Sequence, residues 1–527
     1  MRRSDGAWPR GVPGDDLQMR VRESPKTTTI RWLILAGVLV VAGAVYSTHL
    51  TDDLYGDETG QTIELVTQGR SLFSVVDPSS VHPPLFFFLA KASYLVVGKA
   101  WAIRLPSLLF ALGTILILPF AARGILGERF FFPAAWLGLL SPFILEFSAE
   151  GRSYTMIVFF SLAALWFLVR FIKSDRPRDL VVLLVLSGLG VLTHYFFGLQ
   201  IVYMGAAYLL EKRRLPSRLW KYVVAAAVGV AAAIAALMLG PGPHFFQYLQ
   251  GGWSRGYFSA FNFLVRLPVA ISYGFCTFRL PALDPARNVN WSMARENAAT
   301  ILMILIAFGG FLYAWIRMWK DKVAWYGLLV LGAVIPTALA LLIGKLGFYL
   351  PREKHLAVIW GCVFFLQLLG LERLFRSWPG RAAAGCHLAV VAISMFHYLA
   401  QPNEYSRRMN WTGLNEAIER AVQSDDCLLY YHYDLGFLSM DRMAVLRRNI
   451  PRLRLTAPAA GEPDLETQAR LLDRNTRGTI FLVDHEEARN IVDPSSLIIR
   501  TLTALRKAHQ QRFGRNLILF VFSARSP

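Results

Sequence analysis

The chain has 527 residues, of which 54% are hydrophobic and only 17% are charged, and its mean hydropathy is +0.40. Soluble proteins carry about 25% charged residues, so this composition excludes an ordinary soluble protein. The formal net charge of +19 would suit a nucleic-acid-binding protein, but most Lys and Arg residues lie in short loops between apolar runs. There they orient a membrane protein, and no nucleic-acid partner is expected.

Apolar runs recur from Ile30 to Ala400 and then stop. A helix that crosses a bilayer needs about 20 apolar residues, and the runs have about that length. They divide the chain into a cytoplasmic tail (1–30), a transmembrane domain (31–400) and a soluble domain (402–527). About eleven spans are predicted, at 31–50, 105–122, 130–147, 153–172, 180–196, 197–210, 221–240, 298–316, 324–343, 355–371 and 382–400.

Short basic loops mark the cytoplasmic side of this domain. One further apolar stretch, Pro83–Val97, is predicted to lie in the interface or to re-enter without crossing. It is short, it begins with two prolines, and a crossing there would invert every later basic loop. The segment Gly240–Glu296 is predicted to carry an amphipathic helix near Phe261–Phe275. The basic loops are Arg123–Arg129, Arg170–Arg178, Lys212–Lys221, Arg317–Lys322 and Arg373–Arg381.

Adjacent carboxylates open the first predicted outer loop, Thr51–Arg104. Asp57 and Glu58 follow the first span closely, and a carboxylate at the membrane surface can act as a general base or a metal ligand. The alternative is that Asp57 caps a helix formed by Glu58–Gln68. His82 precedes the two prolines at the rim, where a lone histidine is more often a structural hydrogen-bonding group than a catalyst.

The second and third outer loops combine charge with apolar surroundings. Glu150 and Arg152 lie at the outer end of a hydrophobic hairpin, where they would line a polar cavity or, alternatively, anchor the hairpin with snorkelling charges. The third loop brings Arg352, Lys354 and His355 to the side where the positive-inside pattern does not ask for cations. A lipid phosphate is the expected partner, and binding to ordinary headgroups is the alternative.

Carboxylates, cations and aromatic residues on one membrane face suit an enzyme whose donor is a polyprenyl-phosphate-linked sugar. The lipid tail would lie in the bilayer among membrane lipids, the phosphate would meet Arg and Lys, and a carboxylate would deprotonate an acceptor hydroxyl. The leaving group is already activated, so no nucleotide site is required. The acceptor would be a lipid, a glycan or a protein.

The soluble domain has the pattern of an α/β fold. It is predicted to lie outside the cytoplasm and to cover or steer the acceptor. Helices are predicted at Trp411–Val422, Leu465–Leu472 and Leu502–His509, and short buried strands at Cys427–Tyr431, Thr479–Val483 and Leu517–Phe522.

Several short motifs occur in a defined order along the membrane region. They are Asp57-Glu58, His82-Pro83-Pro84-Leu85, Arg104-Leu105-Pro106-Ser107, Ser141-Pro142 and Glu150-Gly151-Arg152-Ser153-Tyr154. This ordered set resembles the family of dolichyl-phosphate-mannose protein mannosyltransferases and the bacterial aminoarabinose transferases that modify lipid A. The resemblance covers residues 31–200 well and is looser to 400, where Pro351-Arg352 is similar to a family element but Glu353 replaces its usual Tyr.

The resemblance implies an α-helical polytopic membrane protein of the C-type glycosyltransferase fold, with sugar transfer by direct displacement and inversion. It implies that Asp57 is the catalytic base and that Glu58 supports it. It implies that Glu150, His82 and Tyr154 lie near the acceptor or near a metal. The donor phosphate is implied to meet Arg152, Arg352, Lys354 and His355. The need for a divalent metal is not uniform among such enzymes and stays open.

Two other functions compete with this one. A lipid or glycan transporter or flippase would need internal repeats and broken or charged span centres, and few charges lie in the centres of the predicted spans. A non-catalytic envelope assembly protein would tolerate loss of Asp57 and Glu58. The predicted location is a bacterial inner membrane. The four cysteines, Cys276, Cys362, Cys386 and Cys427, have no ligand spacing and are predicted to be unpaired.

Overall fold

A computed structural model of the chain shows a helical bundle followed by a small mixed sheet. The structure describes residues 25–52, 54, 58–67, 69, 71–75, 83–212, 260–275, 295, 297–345, 353–400, 411–421, 426–431, 452–455, 464–485, 495–512 and 517–524. Asp57, His82, Arg352 and the predicted span 221–240 lie outside these residues.

The bundle is built from apolar helices whose hydrophobic side chains form one large core and two smaller clusters. Its helices are α1 (Pro25–Tyr46), α2 (Leu85–Val97), α3 (Leu105–Leu126), α4 (Phe131–Leu139), α5 (Pro142–Ser148), α6 (Tyr154–Ser174), α7 (Pro177–Thr193), α8 (Phe197–Lys212), α9 (Ala260–Tyr273), α10 (Ala298–Lys320), α11 (Tyr326–Lys345), α12 (Trp360–Leu374) and α13 (Trp378–Ala400). Shorter helical turns precede some of them, at Glu58–Ile63, Glu64–Thr67, Leu72–Val75, Ala100–Arg104, Glu128–Phe130 and Glu353–Ile359.

Among the described residues, seven helices are long and apolar enough to cross a bilayer, and eight if the bent pair α4–α5 is one span. The predicted spans 180–196 and 197–210 are helices α7 and α8, with 17 and 16 residues. The fold class is therefore confirmed, whereas the count of about eleven spans stays a prediction.

The predicted span 130–147 is broken, and its two helices are bent by 49°. Pro142 begins α5, and the Ser141 hydroxyl accepts a hydrogen bond from the N–H of Ile144. The hydroxyl of Tyr46 donates to the carbonyls of Gly138 and Leu139, at 3.2 and 3.0 Å. A break inside a membrane helix frees backbone groups, and these side chains satisfy some of them.

Two helices occupy the places where non-spanning helices are predicted. Helix α2 has 13 residues, which extend about 20 Å, whereas a bilayer core is about 30 Å thick. It ends at Gly98, whose φ of 70° closes the helix in the left-handed conformation. Helix α9 forms the expected amphipathic segment. That α2 does not cross the membrane stays a prediction, which its length supports.

The predicted cytoplasmic loops lie at one end of the bundle, where ion pairs and hydrogen bonds join them. Exposed pairs of this kind stabilise little, but they show that these loops share one end. The ion pairs are Arg31–Glu128, Arg129–Glu372, Arg373–Asp321 and Lys212–Asp175.

The soluble domain is α/β, as predicted. Its helices are α14 (Trp411–Ala421), α15 (Leu465–Asn475) and α16 (Leu497–Leu505), and its strands are β1 (Cys427–Tyr431), β2 (Arg452–Leu455), β3 (Ile480–His485), β4 (Ala508–Arg512) and β5 (Leu517–Phe522). The strand order is β2-β1-β3-β5-β4, with β1 parallel to β2 and β3, and β5 antiparallel to β3 and β4. Helices α15 and α16 pack on one face of the sheet.

The predicted helix Leu502–His509 is wrong at its C-terminal end. Helix α16 stops at Leu505, and His509 lies in strand β4. Strands β2 and β4 form the two edges of the sheet, and β4 consists of the polar sequence Ala-His-Gln-Gln-Arg. Edge strands are often polar because polar and charged side chains protect an open edge, and β4 therefore lacks the apolar signal that identified the three inner strands.

Candidate active site

A buried ion pair lies at the end of the bundle opposite the basic loops. The Nε and Nη2 groups of Arg104 donate to the two carboxylate oxygens of Glu58, at 2.7 and 2.6 Å. Both side chains are only 1% exposed. The N–H of Gly151 donates to the same carboxylate, at 2.5 Å. Glu58 is therefore held by the second outer loop and by the start of α3.

Arg104 also holds the backbone at the end of the first span. Its Nη1 group donates to the carbonyls of His49, Leu50 and Asp52, at 3.3, 3.0 and 2.6 Å. Since it binds Glu58 as well, Arg104 fixes the chain on both sides of residues 53–57. That segment contains Asp57.

The second outer loop is held along its backbone. Thr62 donates to the carbonyl of Gly151 at 2.9 Å, and Ser107 donates to that of Arg152 at 2.8 Å. A Cβ at Gly151 would lie 2.8 Å from Ile103 and 3.0 Å from the Glu58 carboxylate. Glycine at 151 is what lets this backbone approach Glu58 so closely.

A cationic cluster follows directly after Gly151. Arg152, Lys354 and His355 are all buried, with exposures of 7%, 4% and 5%. The Lys354 ammonium lies 5.2 Å from the centre of the Tyr154 ring, and the His355 ring lies 6.4 Å from it. Side chains that snorkel to headgroups would be exposed, so this burial favours the polar-cavity interpretation for Arg152.

The cluster has a fourth residue, His194, which the sequence analysis missed. His194 lies in the outer turn between α7 and α8, 5.6 Å from the His355 ring and 6.4 Å from the Tyr154 ring, centre to centre. Burial, and then the charges of Arg152 and Lys354, lower the pKa of His194 to about 3. The sequence analysis separates the two apolar runs at residues 196 and 197 but counts His194 within the span 180–196, so it did not single out this side chain.

His49, at the end of the first span, lies beside the ion pair of Glu58 and Arg104, which we call the Glu58–Arg104 clamp. The Nδ1 atom of His49 lies 2.8 Å from Oδ2 of Asp52. The ring of Tyr398, near the end of α13, packs edge-on against His49 at 5.1 Å. The last helix before the soluble domain thus contacts the first outer loop.

The structure describes six of the nine predicted site residues, and all six lie in this region. Glu58 binds the loop that carries Arg152 and Tyr154, the Tyr154 ring lies against Lys354 and His355, and the charges of Arg152 and Lys354 both act on His194. Glu150 is in the same loop, next to Gly151, and its Oε1 atom is buried. Within the described part of the chain, no three His, Cys, Asp or Glu side chains are grouped as metal ligands.

The helical membrane bundle with its small α/β domain has the C-type membrane glycosyltransferase fold. Residues 81–238 match the family model for dolichyl-phosphate-mannose-protein mannosyltransferase. The structure of ArnT from Cupriavidus metallidurans in the apo state is similar over 94% of this chain and 98% of that chain, with a TM-score of 0.50 and 14% identity. The resemblance and the fold class predicted from the sequence are thus confirmed.

Two further solved structures are similar to the chain. ArnT from the same organism bound to undecaprenyl phosphate has a TM-score of 0.49 and 14% identity, and the match covers 93% of this chain and 98% of that chain. An Archaeoglobus fulgidus oligosaccharyltransferase tethered to an acceptor peptide has a TM-score of 0.48 and 13% identity, with 86% and 69% covered. None of the curated proteins compared with the chain matches it.

Proposed function

We propose that this chain is a glycosyltransferase that moves a sugar from a polyprenyl-phosphate donor to an acceptor on the outer side of the membrane. The observation that carries the proposal is the convergence of the predicted outer loops. Glu58, next to the candidate base, is bound to Gly151, and the neighbouring Arg152 lies in the cluster with Lys354 and His355. A base and a phosphate site are the two parts that the reaction needs.

The cationic cluster suits the donor phosphate. Two cations close together in a buried site repel each other, and an anion between them offsets that repulsion. Arg presents a planar fork that binds phosphate oxygens in pairs, and Lys acts as a point charge. Arg152 and Lys354 are the proposed ligands, with His355 and Arg352 completing the set. The polyprenyl tail would extend from this site into the bilayer.

Asp57 is the proposed general base. Covalent geometry keeps its Cα about 3.8 Å from that of Glu58, and Glu58 is anchored to Gly151, one residue from Arg152. In this proposal, Asp57 acts beside the phosphate site. There it would take the proton of the acceptor hydroxyl as that oxygen attacks the sugar carbon, while the polyprenyl phosphate leaves. Glu58, whose carboxylate is bound by Arg104 and Gly151, would position this segment.

Asp57→Asn tests the base. It keeps the shape and the helix-capping ability of the side chain but removes the charge. We expect transfer to fall by about 10²- to 10⁴-fold, the usual contribution of general-base catalysis, while donor binding is retained. Transfer is measured in nanodiscs with radiolabelled polyprenyl-phosphate sugars and an extract of envelope lipids and proteins as acceptors. Asp53→Asn is the matched control, because it makes the same change in the same loop.

Arg352→Ala should do the opposite and weaken donor binding before turnover. Near-normal transfer by Asp57→Asn, or an equal loss with Asp53→Asn, would remove Asp57 from the catalytic role. If the wild-type protein neither bound polyprenyl phosphate nor transferred sugar from any of the radiolabelled donors, the proposed reaction itself would be wrong. Transport without transfer would then favour the flippase alternative.

A further inference from the structure

The turn that carries His194 is held firmly from both sides. Helix α7 ends at Thr193 and α8 begins at Phe197. The N–H of His194 donates to the carbonyl of Gly190 at 3.0 Å, and the carbonyl of His194 accepts from the N–H of Phe197 at 2.9 Å. A Cβ at Gly190 would lie 2.5 Å from the Phe197 ring, so glycine is what lets the two helices meet in so short a turn.

One hydrogen bond sets the tautomer of this histidine. The N–H of Phe196 donates to Nδ1 of His194 at 3.2 Å. An imidazole nitrogen that accepts a hydrogen bond carries no proton, so the proton of the neutral ring is on Nε2. With a pKa of about 3, His194 is neutral at physiological pH. It is a hydrogen-bond donor without charge.

The surroundings explain why a neutral donor suits this place. His194 is buried among Tyr154 and His355 and feels the charges of Arg152 and Lys354. A third cation would add repulsion to that pair, whereas a neutral N–H adds a hydrogen bond to an anion at no such cost.

We infer that His194 is a further phosphate-binding residue of this site, and that its Nε2–H donates to the phosphate of the polyprenyl donor. The inference rests on the proposed function. The donor is a phosphodiester with one negative charge, and the product is a monophosphate with a charge of about −1.5 to −2 at pH 7. A neutral donor binds both forms, so His194 would hold the phosphate before and after the sugar leaves.

Two variants separate the hydrogen bond from the shape of the turn. In His194→Asn, the amide oxygen can accept from the N–H of Phe196 as Nδ1 does, but nothing replaces Nε2–H. In His194→Gln, the amide nitrogen reaches about where Nε2 lies and offers a donor. We expect His194→Asn to weaken binding of polyprenyl monophosphate about 10- to 100-fold, the usual contribution of a hydrogen bond to a charged group, and His194→Gln to stay within about threefold of the wild type.

Binding is measured on the full chain in nanodiscs by ³¹P NMR titration with polyprenyl monophosphate, and the thermal midpoint of each variant is recorded. His387→Gln is the control, because His387 is also buried but hydrogen-bonds to Tyr273, away from this cluster. An excess of phosphatidylglycerol is the second arm, and it should not displace the ligand. Displacement would mean that the cluster binds ordinary headgroups and would overturn the inference.

The outcomes discriminate between the two proposals. If Arg152→Ala weakens binding but His194→Asn does not, the inference about His194 is wrong and the proposed function stands. Equal losses in His194→Asn and His194→Gln would mean that the histidine only shapes the turn, which also overturns the inference. If the wild-type protein does not bind polyprenyl monophosphate, the proposed function fails first.

Discussion

Arg104 donates five hydrogen bonds at the candidate site. It binds both carboxylate oxygens of Glu58 and three backbone carbonyls where the first span meets the first outer loop. Only a planar guanidinium offers enough donors for this arrangement, since Lys has a single ammonium group. The ion pair of Arg104 and Glu58 is almost completely buried, so the loss of one partner leaves an uncompensated charge.

Arg104→Lys should therefore keep the charge but lose most of these hydrogen bonds, and transfer should fall markedly. Arg104→Ala should destabilise the protein by about 3–5 kcal/mol, the usual effect of breaking a buried pair. Thermal unfolding in detergent and transfer in nanodiscs measure the two effects. Arg129→Ala, which removes an exposed pair with Glu372 at the other end of the bundle, should change neither.

Exchanging the partners sharpens this test. Glu58→Arg combined with Arg104→Glu preserves the pair of charges, but a carboxylate at 104 cannot donate to the carbonyls of His49, Leu50 and Asp52. The double variant should remain inactive. Wild-type stability and transfer in Arg104→Lys, or rescue by the exchange, would show that the clamp is not needed.

The sequence identified the acidic and cationic residues of the site but not the contacts among them. Asp57-Glu58 and Glu150–Tyr154 contain charged residues directly after apolar runs. This pattern is visible in a single sequence. The role of Arg104 depends on a partner 46 residues away in the chain, and that of His194 depends on its packing against Tyr154 and His355, which come from distant parts of the chain. Neither set of contacts has a local signal, so only the fold reveals them.

At the scale of elements, the soluble domain depends on a second buried arginine. Arg506 lies between α16 and β4, 1% exposed, and its Nε donates to Asp473 of α15 at 2.7 Å. Its remaining groups donate to the carbonyls of Asp473, Thr476, Gly478 and Ser523. One side chain thus ties α15 to the ends of β4 and β5 and to the residues that precede β3.

Arg506→Ala should destabilise the soluble domain by about 3–5 kcal/mol, because Asp473 would stay buried without its counter-charge. Arg470→Ala is the matched control, since Arg470 is on the same helix as Asp473 but forms an exposed pair with Glu466. Its effect should be about 0.3–0.5 kcal/mol. Hydrogen exchange on the full-length protein, read at β3 and β5, measures both. Equal protection in the two variants would contradict the prediction.

Strand patterns in this domain were predictable only where strands are buried. β1, β3 and β5 are inner strands with apolar residues, and all three were predicted. The edge strand β4 has polar residues only, apart from Ala508, so its sequence reads as the continuation of helix α16. Helix α16 ends beside Arg506, whose tertiary hydrogen bonds cannot be read from helical periodicity.

At the scale of the whole molecule, charge sorts the bundle into two ends. One end carries exposed pairs among basic loops, and the other carries the buried pair Glu58–Arg104 and the cluster around Lys354. A transporter would need its polar site near the middle of the spans. In the described residues, the largest concentration of buried charge lies at one end, as expected of an enzyme whose lipid donor presents its phosphate at the surface of the bilayer.

Which end faces outward is the last prediction. The basic loops should face the cytoplasm because Lys and Arg bias orientation, so the site should face away from it. Phe73→Cys and Arg376→Cys mark the two ends, because both side chains are exposed and lie in turns rather than in the core. Gly151 is unsuitable as a marker, since a side chain there would strike Ile103 and Glu58.

In a background without the four native cysteines, a membrane-impermeant maleimide should label Phe73→Cys in intact spheroplasts. Arg376→Cys should be labelled only after permeabilisation. The Lys and Arg residues of the loops orient the bundle as a whole, so the two markers must report opposite sides of the membrane. Labelling of Arg376→Cys from outside, with Phe73→Cys protected, would place the Glu58–Arg104 clamp and the cationic cluster on the cytoplasmic side. The enzyme would then have to use donors and acceptors of that face.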